Sequence, residues 1–159
     1  MSTFIGEKNY EHGSDDKTGI LLTNLGTPDA PTAKAVKPYL REFLSDPRVI
    51  ELPKYLWQVI LRGIILQFRP RRSAKTYSTI WKKEGSPLLI IAKKQLDLVT
   101  QKLNLEFSNT VFELAMRYGN PSIENALKKL QEQHVRRLLI LPLYPQYCAA
   151  TTASTFDAV

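Results

Sequence analysis

Gly19-Ile20-Leu21-Leu22-Thr23-Asn24-Leu25, halted by Gly26-Thr27-Pro28-Asp29, decides the fold of this chain. A short, nearly unbroken apolar run that stops at turn residues suits a strand buried on both faces. Two further runs share that character. Residues 110–116 (Thr-Val-Phe-Glu-Leu-Ala-Met) end at Arg117-Tyr118-Gly119-Asn120-Pro121, and residues 135–141 (Val-Arg-Arg-Leu-Leu-Ile-Leu) run into Pro142-Leu143-Tyr144-Pro145-Gln146-Tyr147. Helical patterns separate them. One covers residues 32–44, with Val36, Leu40, Phe43 and Leu44 on one face and Pro38 in its early turns. Another covers residues 88–103 behind Ser86-Pro87, and a third runs through Ile123, Ala126, Leu127 and Leu130 behind Asn120-Pro121. Both openings read as a cap followed by proline. Residues 151–159 look like the start of one more helix. Apolar strands alternating with helices predict an α/β fold, a parallel sheet with helices on both faces.

The segment between the first and second strands is the most unusual. Residues 55–66 are apolar nearly all round, interrupted by Arg62 and Gly63, and residues 69–84 read as a basic helix carrying Tyr77, Ile80 and Trp81. The apolar stretch is too short to cross a bilayer, which takes about 20 residues. From Lys54 to Lys94 ten basic residues face the single acid Glu84, a local charge of +9 in a chain whose net charge is +7. The basic surplus is therefore one patch; a nucleic-acid partner has only that patch in its favour and is not expected.

At 159 residues the chain has the size of one domain, and 43% hydrophobic with 23% charged residues is the composition of a folded protein. The polar residues 1–17 show no periodicity and read as a flexible tail. They contain neither the apolar core of a signal peptide nor the acid-poor composition of a transit peptide. With one cysteine, Cys148, the chain closes no internal disulfide, and a reducing cytoplasm is the expected setting.

Ligands of open parallel sheets bind beyond the carboxyl ends of the strands, so the three loops after the strands are the place to look for chemistry. Neither a dinucleotide nor a phosphate-loop fingerprint is present there. His12 falls in the tail and His134 in a helix-to-strand connection at the opposite sheet edge. Cys148 lacks a neighbouring histidine, which favours a packing role over a nucleophilic one.

Five collinear motifs carry a resemblance. Gly19–Asp29, Phe43-Leu44-Ser45-Asp46-Pro47-Arg48-Val49-Ile50, Gly85-Ser86-Pro87-Leu88, Met116-Arg117-Tyr118-Gly119-Asn120-Pro121 and Pro142-Leu143-Tyr144-Pro145-Gln146-Tyr147-Cys148 with the small residues after it resemble bacterial ferrochelatases. The match runs from about Thr18 to Val159. It implies a Rossmann-like, chelatase-like fold of two similar halves with a porphyrin held between them. The complete enzyme would insert ferrous iron into protoporphyrin IX to form protohaem. Residues 18–159 correspond to the first half, with the second expected to be absent. The proton-accepting histidine and the acidic iron-site residue belong to that second half. No catalytic residue and no metal ligand are therefore expected in this chain, which alone should be inactive.

The resemblance also implies binding residues. Leu25 matches a position facing the porphyrin ring, and Leu40, Phe43 and Val49 match apolar cleft positions. Arg69, Tyr77 and Ser86 match positions where a guanidinium and hydroxyls bind the propionates, with Arg71 as the alternative to Arg69. Arg117, Tyr118 and Tyr144 match inner-cleft positions, core packing being the competing reading of the tyrosines. Ferrous iron and protoporphyrin IX are expected as substrates. No cofactor is expected in this chain, and no iron–sulfur cluster, because Cys148 stands one residue before the position, Ala149, where animal members of the family place a ligand cysteine, and the other ligands are absent. Residues 56–68 resemble a cleft lip that touches the membrane, against the reading of a core helix with a solvated basic neighbour. A non-catalytic porphyrin- or haem-binding truncated relative is the alternative function.

Overall fold

A computed structural model describes residues 17–159. The expected tail lies outside the described residues except for Lys17, which already belongs to the first strand. In chain order the elements are β1 (Lys17–Thr27), α1 (Ala33–Ser45), α2 (Lys54–Ile60), a π turn (Leu61–Ile65), α3 (Leu66–Ile80), α4 (Pro87–Leu103), β2 (Thr110–Gly119), α5 (Ile123–Glu132), β3 (Val135–Pro142), a second π turn (Ala149–Ala153) and α6 (Ser154–Asp157).

The three strands form one parallel sheet in the order β2-β1-β3. β1 is central because its two faces are both apolar and both covered. Leu21 packs with Ala115 against Ile123, Ala126 and Leu130 of α5, while Leu22 packs with Leu114 and Met116 against Ala92 of α4. Helices thus cover both faces of the sheet, as the alternation predicts. A third cluster joins α1 (Val36, Tyr39, Leu40, Leu44) to Leu61, Leu66 and Ala74, and closes on Tyr118 of β2. Each fully buried leucine or valine contributes about 1.5–3 kcal/mol, so α1 and α3 are held by these contacts despite Pro38 and Pro70 inside them.

Several boundaries depart from the sequence pattern. The apolar stretch and the basic helix are not separate: α2 passes through the π turn directly into α3. The helix then ends at Ile80, not Glu84, because Lys82 and Gly85 close a tight loop by exchanging backbone bonds of 3.0 and 3.1 Å. β2 continues through Arg117, Tyr118 and Gly119, where the sequence pattern predicts a loop, because β1 keeps pairing with it as far as Thr27↔Gly119. The cap of α5 is Ser122, whose hydroxyl accepts from the Asn125 N–H at 3.3 Å, not the Asn120-Pro121 pair. The last helix begins as a π turn and becomes α-helical only at Ser154.

Candidate functional site

In the order β2-β1-β3 the chain reverses direction across the sheet between β1 and β3, the switch point at whose carboxyl ends ligands of open parallel sheets bind. The Leu143 N–H donates to the Thr23 carbonyl at 2.7 Å, which prolongs the β1/β3 pairing and sets Tyr144 beside the end of β1. The Tyr144 hydroxyl is buried next to Thr155 without a well-formed hydrogen bond among the described residues. Burial pushes its pKa up, against the nearby charge of Arg117.

Arg117 and Tyr118 are tied down by a carboxylate that pattern did not single out as functional. Asp46, 7% exposed at the C-terminus of α1, accepts through Oδ2 from Arg117 Nη2 at 2.7 Å, from the Tyr118 hydroxyl at 2.8 Å and from the Ser154 hydroxyl at 2.5 Å. Its Oδ1 accepts from the Arg48 N–H at 2.7 Å. Burial alone would raise this carboxyl. The bonds from Ser154, Tyr118 and Arg48, with the charge of Arg117, outweigh burial and hold it below the usual carboxylate range. Arg117 Nε also donates to the carbonyl and hydroxyl of Ser154, and its guanidinium lies 4.6 Å from the Tyr118 ring centroid.

Leu25, Phe43, Val49 and Tyr77 are partly buried and pack against the α1/α3 cluster that contains Leu40 and Tyr118. Tyr39 stacks on Phe43, and Phe43 meets the Tyr118 ring edge-on with centroids 5.1 Å apart. Six of the expected residues therefore share one apolar-aromatic body. Leu40 and Tyr118 form its interior, at 4% and 0% exposure, and present no open surface: they back the wall instead of lining it.

The remaining expected residues separate. Arg69 lines a cavity of about 590 Å³ along α3, with Ile64, Ile65, Phe68, Arg72, Ser73 and Thr76. Its basic partner there is Arg72, one turn on, and Arg71 is not among the lining residues. Ser86, nearly buried, borders a different cavity of about 290 Å³ between the first two post-strand loops, with Trp81, Glu84, Asn120 and Pro121. Arg69, Tyr77 and Ser86 are thus not gathered into one cavity. Among the described residues no group of three or more histidine, cysteine, aspartate or glutamate side chains is placed to hold a metal ion.

This is a Rossmann-type α/β domain with an apolar-aromatic wall, an arginine-rimmed cavity beside it and a buried polar hub behind it. The ferrochelatase family model matches residues 17–159, and the chain belongs to that family. It is 56% identical over 155 residues to a ferrochelatase of Idiomarina loihiensis, a match covering 97% of this chain and 43% of the relative. A ferrochelatase of Marinobacter nauticus is 57% identical over 155 residues, covering 97% and 42%, and one of Chromobacterium violaceum is 54% identical over 158 residues, covering 99% and 43%. The chain spans less than half the length of these curated relatives and matches their N-terminal part.

Proposed function

We propose that this chain forms the N-terminal wall of a porphyrin cleft in haem biosynthesis, the complete enzyme inserting ferrous iron into protoporphyrin IX. The observation that carries the reading is the α3 cavity, where Ile64, Ile65 and Phe68 lie beside Arg69 and Arg72. A flat macrocycle with two propionates needs apolar surface and charge-assisted donors together. Leu25, Phe43, Val49 and Tyr77 extend the apolar surface, and Arg69 is the better propionate partner than Arg71 because it lines the cavity.

On this reading iron and porphyrin are substrates that meet the rest of the catalytic apparatus on polypeptide outside this chain. Residues 18–159 supply binding surface without a proton acceptor or metal ligand. The chain binds no iron–sulfur cluster, its one cysteine, Cys148, being exposed and without a cysteine partner. The chain acts in the cytoplasm. No helix among the described residues is long and apolar enough to cross a membrane. Tyr55, Leu56, Val59, Ile64 and Phe68 are nonetheless exposed from α2 through the π turn into α3, beside Arg62 and Arg69, the pattern of an apolar, basic edge that lies on a membrane surface.

Quenching of tryptophan fluorescence by protoporphyrin IX tests the wall. Saturable binding weakened by Arg69→Ala and Tyr77→Phe, and unaffected by Arg71→Ala, is expected; equal affinities for all four proteins would refute it. The purified chain should show no zinc or iron insertion above the metal-only background, and turnover would overturn the assignment of the chemistry to other polypeptide. Sedimentation with anionic vesicles, lost on Phe68→Glu, tests the membrane edge. Porphyrin binding with no insertion even when the rest of a relative is supplied in trans would favour the non-catalytic binding reading.

A further inference from the structure

We propose that Asp46 is a positioning residue for the porphyrin cleft: it makes no contact with the ligand and fixes Arg117 together with the segment that carries Val49. The inference rests on the cleft reading above. A carboxylate has about four acceptor sites, and Asp46 receives four donors, from Arg117, Tyr118, Ser154 and the Arg48 backbone. Three of the four converge on Oδ2 and one reaches Oδ1, on a residue that is 7% exposed, so its effect passes through what it holds.

It holds two things. Its backbone carbonyl accepts from the Val49 and Ile50 N–H groups, both at 3.0 Å, while its side chain accepts from Arg48, so one residue sets the whole 46–50 turn. Val49 and Ile50 from that turn pack on the wall. The second is the Arg117 guanidinium, pinned by Asp46 on one side, Ser154 on another and the Tyr118 ring beneath. Nη1 of Arg117 has no partner among the described residues, on a side chain that is 17% exposed. The arrangement leaves a preorganised donor at the end of β2, held from several sides, which is how a supporting shell keeps a binding group in one geometry.

The test uses the purified chain well below its unfolding transition, with circular dichroism to establish folding and protoporphyrin IX as the probe. Asp46→Asn should weaken porphyrin binding about tenfold, and Ser154→Ala, which keeps the Ser154 carbonyl acceptor, about threefold, the losses expected for a charged and a neutral hydrogen bond. The Nε–H resonance of Arg117, assigned through Arg117→Lys, should move and exchange faster with solvent in both variants. A folded Asp46→Asn protein with wild-type affinity overturns the proposal and leaves the residue a purely structural role. If Asp46→Asn does not fold, Ser154→Ala decides on the same criterion. If the wild-type chain binds no porphyrin, the cleft reading falls on its own. The Arg117 resonance then decides: unchanged in both variants, it removes the positioning role as well.

Discussion

Gly26, opposite Tyr118 of β2, leaves no room for a side chain. Its φ is +113°, and a Cβ there would sit 1.8 Å from the Tyr118 carbonyl oxygen. Neither the backbone nor its neighbour can give way, so Gly26→Ala should cost at least about 2 kcal/mol. Gly63 is the matched control: a Cβ there meets nothing within 4 Å, and Gly63→Ala should be neutral or stabilising by up to about 1 kcal/mol. Urea midpoints for the two variants check the contrast. The turn at Gly26-Thr27-Pro28 was legible because its chemistry is local. Asp46 was not, since its side-chain partners Arg117, Tyr118 and Ser154 lie 71, 72 and 108 residues away. Its titration has a definite sign. Asp46, Asp157 and Glu124 have lowered pKa values in the folded protein. The stability they contribute is therefore complete above the unfolded values, about 3.9 for Asp and 4.3 for Glu, and is lost as pH falls through the folded ones. Burial raises Tyr39, Tyr118 and Tyr144, so their contribution is complete below about pH 10 and fades above it as deprotonation begins to favour the unfolded chain. Urea midpoints against pH should show a plateau between these limits, and Asp46→Asn should flatten its acid side. An acid limb as steep as wild type in that variant would show that other carboxylates govern it.

Helix openings separate what a sequence announces from what a structure uses. Thr32 and Ser122 both accept a backbone N–H through their hydroxyls, from Ala35 and Asn125. Ser86 occupies the same place before α4, with Pro87 behind it, yet makes no side-chain cap bond. Ser122→Ala should therefore cost about 1 kcal/mol of stability, while Ser86→Ala should cost less and act chiefly on its cavity. Denaturant titration of the two variants is the check, and equal losses would mean that the local pattern, not the bond, sets the cap. The existence and order of the strands and helices were legible, because apolar periodicity over many residues reports burial directly. The fusion of α2, the π turn and α3 was not. Gly63 reads as a break, whereas the contacts of Leu61 and Leu66 with α1 carry the chain through it as continuous helix. The same tertiary override prolonged β2: Arg117 and Tyr118 read as a polar loop until Asp46 and the pairing with β1 are known. The aromatic wall was legible as a set of residues but not as an ordering, since only packing decides that Leu40 and Tyr118 stand behind Leu25, Phe43 and Val49.

At the scale of the whole molecule the sheet is lopsided. β1 is enclosed by strands on both sides and helices on both faces; of the two outer strands β2 is covered by α4 and α5, whereas β3 leaves Leu138, Leu139 and Leu141 at 38%, 54% and 41% exposure. Leu138 shares its face with Ile140, whereas Leu139 and Leu141 point the other way, so apolar surface is exposed on both faces of one strand. An outer strand with apolar side chains exposed on both faces templates association with other chains. The net charge of +7 opposes that association only weakly, since the segment from Lys54 to Lys94, from α2 into α4, carries +9 and the rest of the chain carries no positive surplus. The isolated chain should therefore show mass rising with concentration in sedimentation equilibrium, and added salt should increase it by screening the residual repulsion. Leu139→Lys places a charge at the most exposed of the three positions and removes no contact of the buried clusters. It should lower self-association by several fold while leaving the urea midpoint within about 0.5 kcal/mol of wild type. Porphyrin affinity should not change, because β3 contributes nothing to the α3 cavity or to the α1/α3 wall. A wild-type chain that stays monomeric at every concentration and salt would show that the strand edge is protected by its own twist and by Arg136 and Arg137. A variant that becomes monomeric but loses porphyrin binding would instead place the wall and the free edge in one cooperative unit.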